Sequence, residues 1–96
     1  MIVEILRFKL LPGSDEAAFL DADKRLQTEF AYQQPGMIRR TTVRGDDGSW
    51  AVIDFWYSRE DAERCDELWS TDPFAGAFMK FVDQSSITTE RFESLD

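Results

Sequence analysis

Histidine is absent from this 96-residue chain, which removes the side chain that most often exchanges protons or binds metal near neutral pH. Histidine-dependent triads, zinc clusters and histidine-ligated haem are therefore excluded. Cysteine occurs once, at Cys65, so no internal disulfide forms and the fold does not depend on an oxidising compartment. No apolar run approaches the roughly 20 residues of a membrane helix. The opening stretch MIVEILRFKLL mixes acid and base into its apolar pattern and has no small-residue cleavage site. It reads as a strand and not a secretory signal, and the expected residence is the cytoplasm. Basic residues are the minority, 11 against 19 acids for a net charge of −8, a balance that repels phosphate backbones and anionic lipid. Nucleic acid and membranes are not expected partners. No G-x-G-x-x-G or other phosphate loop occurs, so nucleotide cofactors have no support and no cofactor is expected. Asp46 and Asp47 lie in a turn without further ligands, so no metal site is expected there.

What is present is the material of a globular fold. Hydrophobic residues make up 43% and charged residues 31% of the chain, and residues 1–96 read as one domain. Residues 2–10 predict a first strand with Ile2, Leu6, Phe8 and Leu10 on one face and Val3 and Ile5 on the other. Pro12 and Gly13 end it. Ser14 is read as the cap of a helix over residues 15–33, whose stripe Phe19, Ala22, Leu26 and Phe30 has the spacing of one buried face. Pro35 and Gly36 stop that helix, and residues 37–44 predict a second strand rich in β-branched side chains. The tetrad GDDG at residues 45–48 predicts a hairpin to a third strand over residues 49–57. Ser58 with Asp61 forms a capping box for a second helix that buries Ala62, Cys65 and Trp69. Asp72 and Pro73 open a short third helix with Phe74, Phe78 and Phe81 inward, and a last strand is expected over residues 86–93.

This order predicts an α+β, ferredoxin-like unit, a four-stranded antiparallel sheet of order 4-1-3-2 with its helices on one face. The central strands nevertheless carry apolar groups on both faces, Ala51, Ile53, Phe55 and Tyr57 opposing Trp50, Val52 and Trp56 on the third strand. A symmetric second copy is the natural cover for the face the helices leave bare. The expected partner is thus the chain itself, as a homodimer.

The stretches QPGMIRRTTVR, DDGSWAVIDFWYSREDAE and PFAGAFMKFVD resemble the antibiotic biosynthesis monooxygenase-like superfamily. In that pattern a proline-glycine opens the second strand. The third strand ends in acid, any residue, tryptophan, any residue, serine, with a helix following at once. Asp54, Trp56 and Ser58 match these three positions. The resemblance spans nearly the whole chain and implies a dimeric α+β barrel built by sheet-to-sheet packing. Members include cofactor-independent oxygenases of aromatic quinols, haem-degrading enzymes and proteins without known activity. The haem-degrading relatives often use a histidine, which this chain lacks, and Val52 stands where the quinol oxygenases carry asparagine.

Asp54 shares a face of the third strand with Trp56, and the resemblance places that face beside the cleft between sheet and helices. A carboxylate there loses hydration and gains the raised pKa of a general base, the candidate catalytic role. The alternative is that Asp54 pairs with Arg7, Arg39 or Arg40 and orders the sheet. Glu4 is a second wall of the cleft or a salt-bridge partner. Arg39 and Arg40 adjoin and point to opposite faces, so one of them needs an acid or an anionic ligand on the covered side. Trp50, Val52, Trp56, Trp69, Phe78 and Arg40 are the expected ligand-binding residues, for a small hydrophobic or aromatic molecule. Tyr32 and Tyr57 are read as further aromatic walls. Cys65 is read as a buried, inert thiol. Two functions stand side by side: a small-molecule-binding protein that acts as a cofactor-independent oxygenase of aromatic or enolic substrates, and a non-catalytic homodimeric binding or structural module.

Overall fold

The fold is taken from a computed structural model that describes residues 1–96. Strand β1 (Ile2–Leu10) is followed by helix α1 (Glu16–Glu29), a 3-10 turn (Ala31–Gln33) and strand β2 (Met37–Arg44). Then come β3 (Trp50–Trp56), α2 (Arg59–Trp69), α3 (Pro73–Met79) and β4 (Val82–Glu93). All strand pairings are antiparallel, in the order β2-β3-β1-β4. This is the expected 4-1-3-2 sheet read from its other edge.

Strand alternation sets the two faces. Ile2, Glu4 and Phe8 of β1 and Trp50, Val52 and Trp56 of β3 are buried, on the side the helices cover. Phe19 of α1 and Phe78 of α3 enter that core edge-on: Phe19 lies 5.0 Å from Trp50 and Phe78 lies 5.5 Å from Phe8, ring centre to ring centre. Such tilted contacts favour aromatic pairs beyond simple area burial. On the bare face Val3, Ile5, Ala51, Ile53 and Phe55 are only half-buried, while Val43 and Phe92 are 42% and 48% exposed.

The local signals explain most element ends, with three corrections. Asp15, not Ser14, caps α1: its Oδ1 accepts from the N–H groups of Ala17 and Ala18, whereas the Ser14 hydroxyl donates back to Leu11. The helix stops at Glu29, and Phe30 leads into the 3-10 turn, so the expected helix to residue 33 is really two elements. Strand β4 starts at Val82, four residues before its expected beginning at residue 86. The polar run of residues 83–86 hid it by reading as a loop. Between the Arg7–Thr88 and Lys9–Asp83 pairings that run bulges outward, with Ser85 bound to Asp83 and the Ser86 hydroxyl accepting the Lys9 N–H.

Half of the expected capping box is present: the Ser58 hydroxyl accepts the Asp61 N–H, but the Asp61 carboxylate takes the Ser58 hydroxyl at 2.8 Å instead of the Ser58 backbone N–H. Gly36 sits against this cap with φ of +83°, its carbonyl accepting the Tyr57 N–H at 2.8 Å. A Cβ on Gly36 would run into the Asp61 side chain. The Pro35-Gly36 pair thus follows the 3-10 turn without ending α1, and it lets the start of β2 lie against the first turn of α2. No helix is long and apolar enough to cross a membrane.

Candidate functional site

A cavity of about 240 Å³ opens between the helical face of the sheet and α2 and α3. Glu4 and Leu6 of β1, Arg40 of β2, Val52 and Asp54 of β3, and Ile87 and Thr89 of β4 form its floor. Asp66 and Trp69 of α2 and Met79 of α3 form its roof. All four strands contribute because the antiparallel register sets Glu4, Asp54 and Arg40 side by side across β1, β3 and β2, with Arg91 next to Glu4 on β4. One row of the sheet thus carries acid, acid and two bases on its covered side.

These charges are not shared evenly. Glu4 is held by Arg91, whose Nη2 is 2.5 Å from Glu4 Oε2 and 2.8 Å from Asp66 Oδ2. Arg91 therefore ties β1 and the edge strand to α2 at the side of the cavity. Arg40 is 4% exposed and is held by α1: its Nη2 donates to Asp23 Oδ1 at 2.8 Å and its Nη1 to Gln27 Oε1 at 3.1 Å and Thr42 Oγ1 at 3.4 Å. The guanidinium also sits 5.8 Å from the Phe78 ring centre. Its backbone is fixed too, because the Tyr32 hydroxyl accepts the Arg40 N–H and donates to the Arg40 carbonyl.

Asp54 receives what is left. Its Oδ1 stands 3.9 Å from Arg40 Nε, beyond hydrogen-bond reach, and this oxygen is buried with no hydrogen-bond partner. Burial raises the Asp54 carboxyl from 3.8 to about 7; the Arg40 charge pulls it back down, and Glu4, Asp66 and Asp23 push it further up. A carboxyl that titrates near neutrality beside an open cavity can take a proton from a ligand and return it. Cys65 lies on the buried side of α2 and is inert by the same physics, burial first and the Asp54 and Asp66 charges next pushing its thiol up to about 12.

Of the residues singled out in the sequence, Asp54, Val52, Trp69 and Arg40 meet at this cavity. Trp50, Trp56 and Phe78 do not line it; they are buried in the aromatic core behind it. The Trp56 Nε1 is buried without an acceptor. Tyr57 is 77% exposed on the bare side of the sheet, and Tyr32 serves the Arg40 backbone instead of forming a wall. Glu4 takes both roles considered for it, wall and salt-bridge partner. Of the possible partners for Asp54, Arg7 pairs with Glu90 and Arg39 is exposed, leaving Arg40. Asp23 and Asp66 were not singled out. For Asp23 a signal existed: it stands four residues after Phe19 and three before Leu26, inside the apolar stripe.

A second recess of about 320 Å³ lies at the hairpin end of the sheet, among Arg7, Lys9, Arg44, Ser49 and Ser86. Its two arginines are paired with Glu90 and Glu16, and no carboxylate is among the side chains that line it. Only the smaller cavity is lined by the buried, unpartnered Asp54. No group of three or more histidine, cysteine or carboxylate side chains is placed to hold a metal.

No family model matches the sequence, and no curated protein matches it. Among solved structures, the chain is similar to a point variant of SnoaB, a cofactor-independent oxygenase from Streptomyces nogalater. They are 22% identical over 99% of this chain and 93% of that one, with a TM-score of 0.79. An antibiotic-biosynthesis-monooxygenase-like protein from Nitrosomonas europaea is 18% identical over the full length of both chains, with a TM-score of 0.74. Another from Bordetella bronchiseptica is 11% identical over 99% of this chain and 97% of that one, with a TM-score of 0.82. At these identities the likeness is one of fold: the chain has the α+β fold of the antibiotic biosynthesis monooxygenase-like proteins.

Proposed function

We propose that the protein is a homodimeric small-molecule enzyme of the cofactor-independent oxygenase type, with Asp54 as its proton acceptor. The observation that carries this reading is the buried, unpartnered Asp54 Oδ1 at an open cavity. The fold shared with SnoaB, a cofactor-independent oxygenase, supports the reaction class. The ligand is an uncharged phenol or enol of modest size, since the cavity joins apolar walls from Leu6, Val52, Trp69, Met79 and Ile87 to an acidic floor.

In the reaction, ionised Asp54 takes the ligand's O–H proton and leaves an enolate or phenolate. The Arg40 Nε–H, which Asp23, Gln27 and Thr42 leave free, is the donor that steadies the oxyanion. The electron-rich carbon gives one electron to dioxygen, and the resulting radical pair closes a C–O bond to a peroxide. Asp54 returns its proton to the peroxide. Loss of water then breaks the O–O bond and the C–H bond of the same carbon, the ionised Asp54 passing the C–H proton to the departing hydroxide, so one oxygen atom ends as a carbonyl and the other as water, with the substrate carbon oxidised by two electron pairs. The buried, reduced Cys65 suits a cytoplasmic setting.

The non-catalytic binding module is the second reading, favoured by the 3.9 Å approach of Arg40 Nε to Asp54. Oxygen uptake over a panel of quinols and enols separates the two. The enzyme gives uptake that rises with a midpoint near pH 7 and vanishes in a folded Asp54→Asn variant. Uptake that survives this substitution removes Asp54 as the proton acceptor, and none across the panel leaves the module.

A further inference from the structure

The register of the sheet poses a question the site has not answered. Arg40 and Asp54 are direct cross-strand partners on the covered face, the placement at which opposite charges ordinarily bond. Yet the Arg40 guanidinium makes its short contact with Asp23, 2.8 Å away on another element, and stays 3.9 Å from Asp54. We propose that Asp23 is the positioning residue of this site: by holding Arg40 against α1 it keeps the cation off Asp54 and leaves that carboxyl free to exchange a proton with a ligand. This role rests on the reading of Asp54 as the proton acceptor.

Three observations support it. Asp23 is 7% exposed and Arg40 4%, so neither ion has water as an alternative partner, and a buried cation deprived of one carboxylate must find another. Gln27, four residues after Asp23 and so on the same side of α1, binds the same guanidinium at 3.1 Å, which makes the helix a two-point clamp. The Tyr32 hydroxyl anchors the Arg40 backbone at both its N–H and its carbonyl, so the side chain alone is left to choose between acids.

The charges around Asp54 determine the sign of the effect. Glu4 faces it from β1, Arg40 from β2, and Asp66 with the neutral Cys65 from α2. Asp23 reaches it from α1 across Arg40, β4 contributes Arg91 bound to Glu4 and Asp66, and α3 presents only the uncharged Met79. Replacing Asp23 by Asn removes one negative charge and frees Arg40 to close on Asp54. Both changes favour ionised Asp54, so its titration midpoint falls. Without movement of Arg40, Asp66→Asn would have the larger effect, because Asp66 acts on Asp54 more strongly than Asp23 does. With movement, the order reverses.

The test is a carbon-13 titration of the aspartate carboxyls by NMR, with Asp54 assigned by the signal lost in Asp54→Asn. The parent midpoint is expected near neutrality. In Asp23→Asn it should fall by roughly 1–2 pH units, the effect of an opposite charge brought into contact, and by more than in Asp66→Asn. An equal or smaller fall than in Asp66→Asn overturns the role of Asp23 while leaving Asp54 as the acceptor. A parent midpoint in the ordinary carboxylate range overturns both. If Asp23→Asn does not fold, Gln27→Ala cuts the neutral half of the clamp, and a smaller downward shift is expected; an unmoved midpoint there overturns the proposal.

Discussion

Arg40 lies between two carboxylates and bonds to only one of them, Asp23 at 2.8 Å against Asp54 at 3.9 Å. The asymmetry gives the two acids opposite physical characters. Asp23 is compensated and structural, whereas Asp54 is desolvated without full compensation, so its charge strains the fold. Stability measurements separate the two.

Burial, more than the opposing pull of Arg40, raises the Asp54 carboxyl from 3.8 to about 7. Between those values the native chain keeps a proton that the unfolded chain has released. Stability therefore falls as pH rises from about 4 to about 7 and levels off above. Asp54→Asn removes this dependence, so at pH 8 the variant should be more stable than the parent by on the order of 1–3 kcal/mol, and near pH 4 the two should agree. Urea unfolding at both pH values measures the difference, and a variant less stable than the parent at pH 8 would show a paired, structural Asp54.

Arg40→Met should act in the opposite direction. It keeps an unbranched apolar stem but removes the guanidinium, leaving Asp23, 7% exposed, without its cation. The expected loss is roughly 3–5 kcal/mol, the usual effect of orphaning one member of a buried pair. Thermal unfolding at pH 7 reads it. A loss below about 1 kcal/mol, the scale of exposed ion pairs, would mean that solvent reaches Asp23.

How much of this was legible in the sequence depended on which interaction decided each feature. β1, β2 and β3 showed themselves by alternation between Gly and Pro breaks, and the sheet order followed from the sequence of elements. β4 began earlier than expected because its first residues are polar and bulged, so neither alternation nor β-branching marks them. Asp54 stood out as an acid on an apolar strand face. Its partner was narrowed only to Arg7, Arg39 or Arg40, because the choice needed the strand register that sets Arg40 opposite Asp54, and the competing Asp23 comes from a helix whose rotation relative to β2 only tertiary packing fixes. The same limit applies to Trp50, Trp56 and Phe78: periodicity tells which face a side chain takes, not whether a neighbour fills the space before it. Phe19 does so for Trp50.

Gly36→Ala tests the join between the Pro35-Gly36 turn and α2. The φ of +83° is strained for any residue with a side chain, and the added methyl meets the Asp61 carboxylate that accepts the Ser58 hydroxyl at the start of α2. A loss of about 1–3 kcal/mol is expected, and Asp61→Gly in the same chain should restore part of it by removing the obstructing group. Full additivity of the two substitutions would mean that backbone strain alone is responsible.

The bare face of the sheet supports the homodimer of the proposed function. Ile53 lies at its centre, paired with Ile5 on β1 and Thr41 on β2, with Phe55, Val3 and Ala51 half-buried around it. Packing two such faces would remove on the order of 800 Å² from each chain, the area of a stable interface, and would leave no water for a charge at its middle. Light scattering of the parent should give twice the 11.1 kDa chain mass. Ile53→Lys places an ammonium group in that dry centre, several kcal/mol against association, and should return the mass to that of one chain. In a monomeric parent the same lysine would point into solvent and change little, so a parent already at 11.1 kDa would remove the dimer and leave the exposed Val43 and Phe92 without a cover.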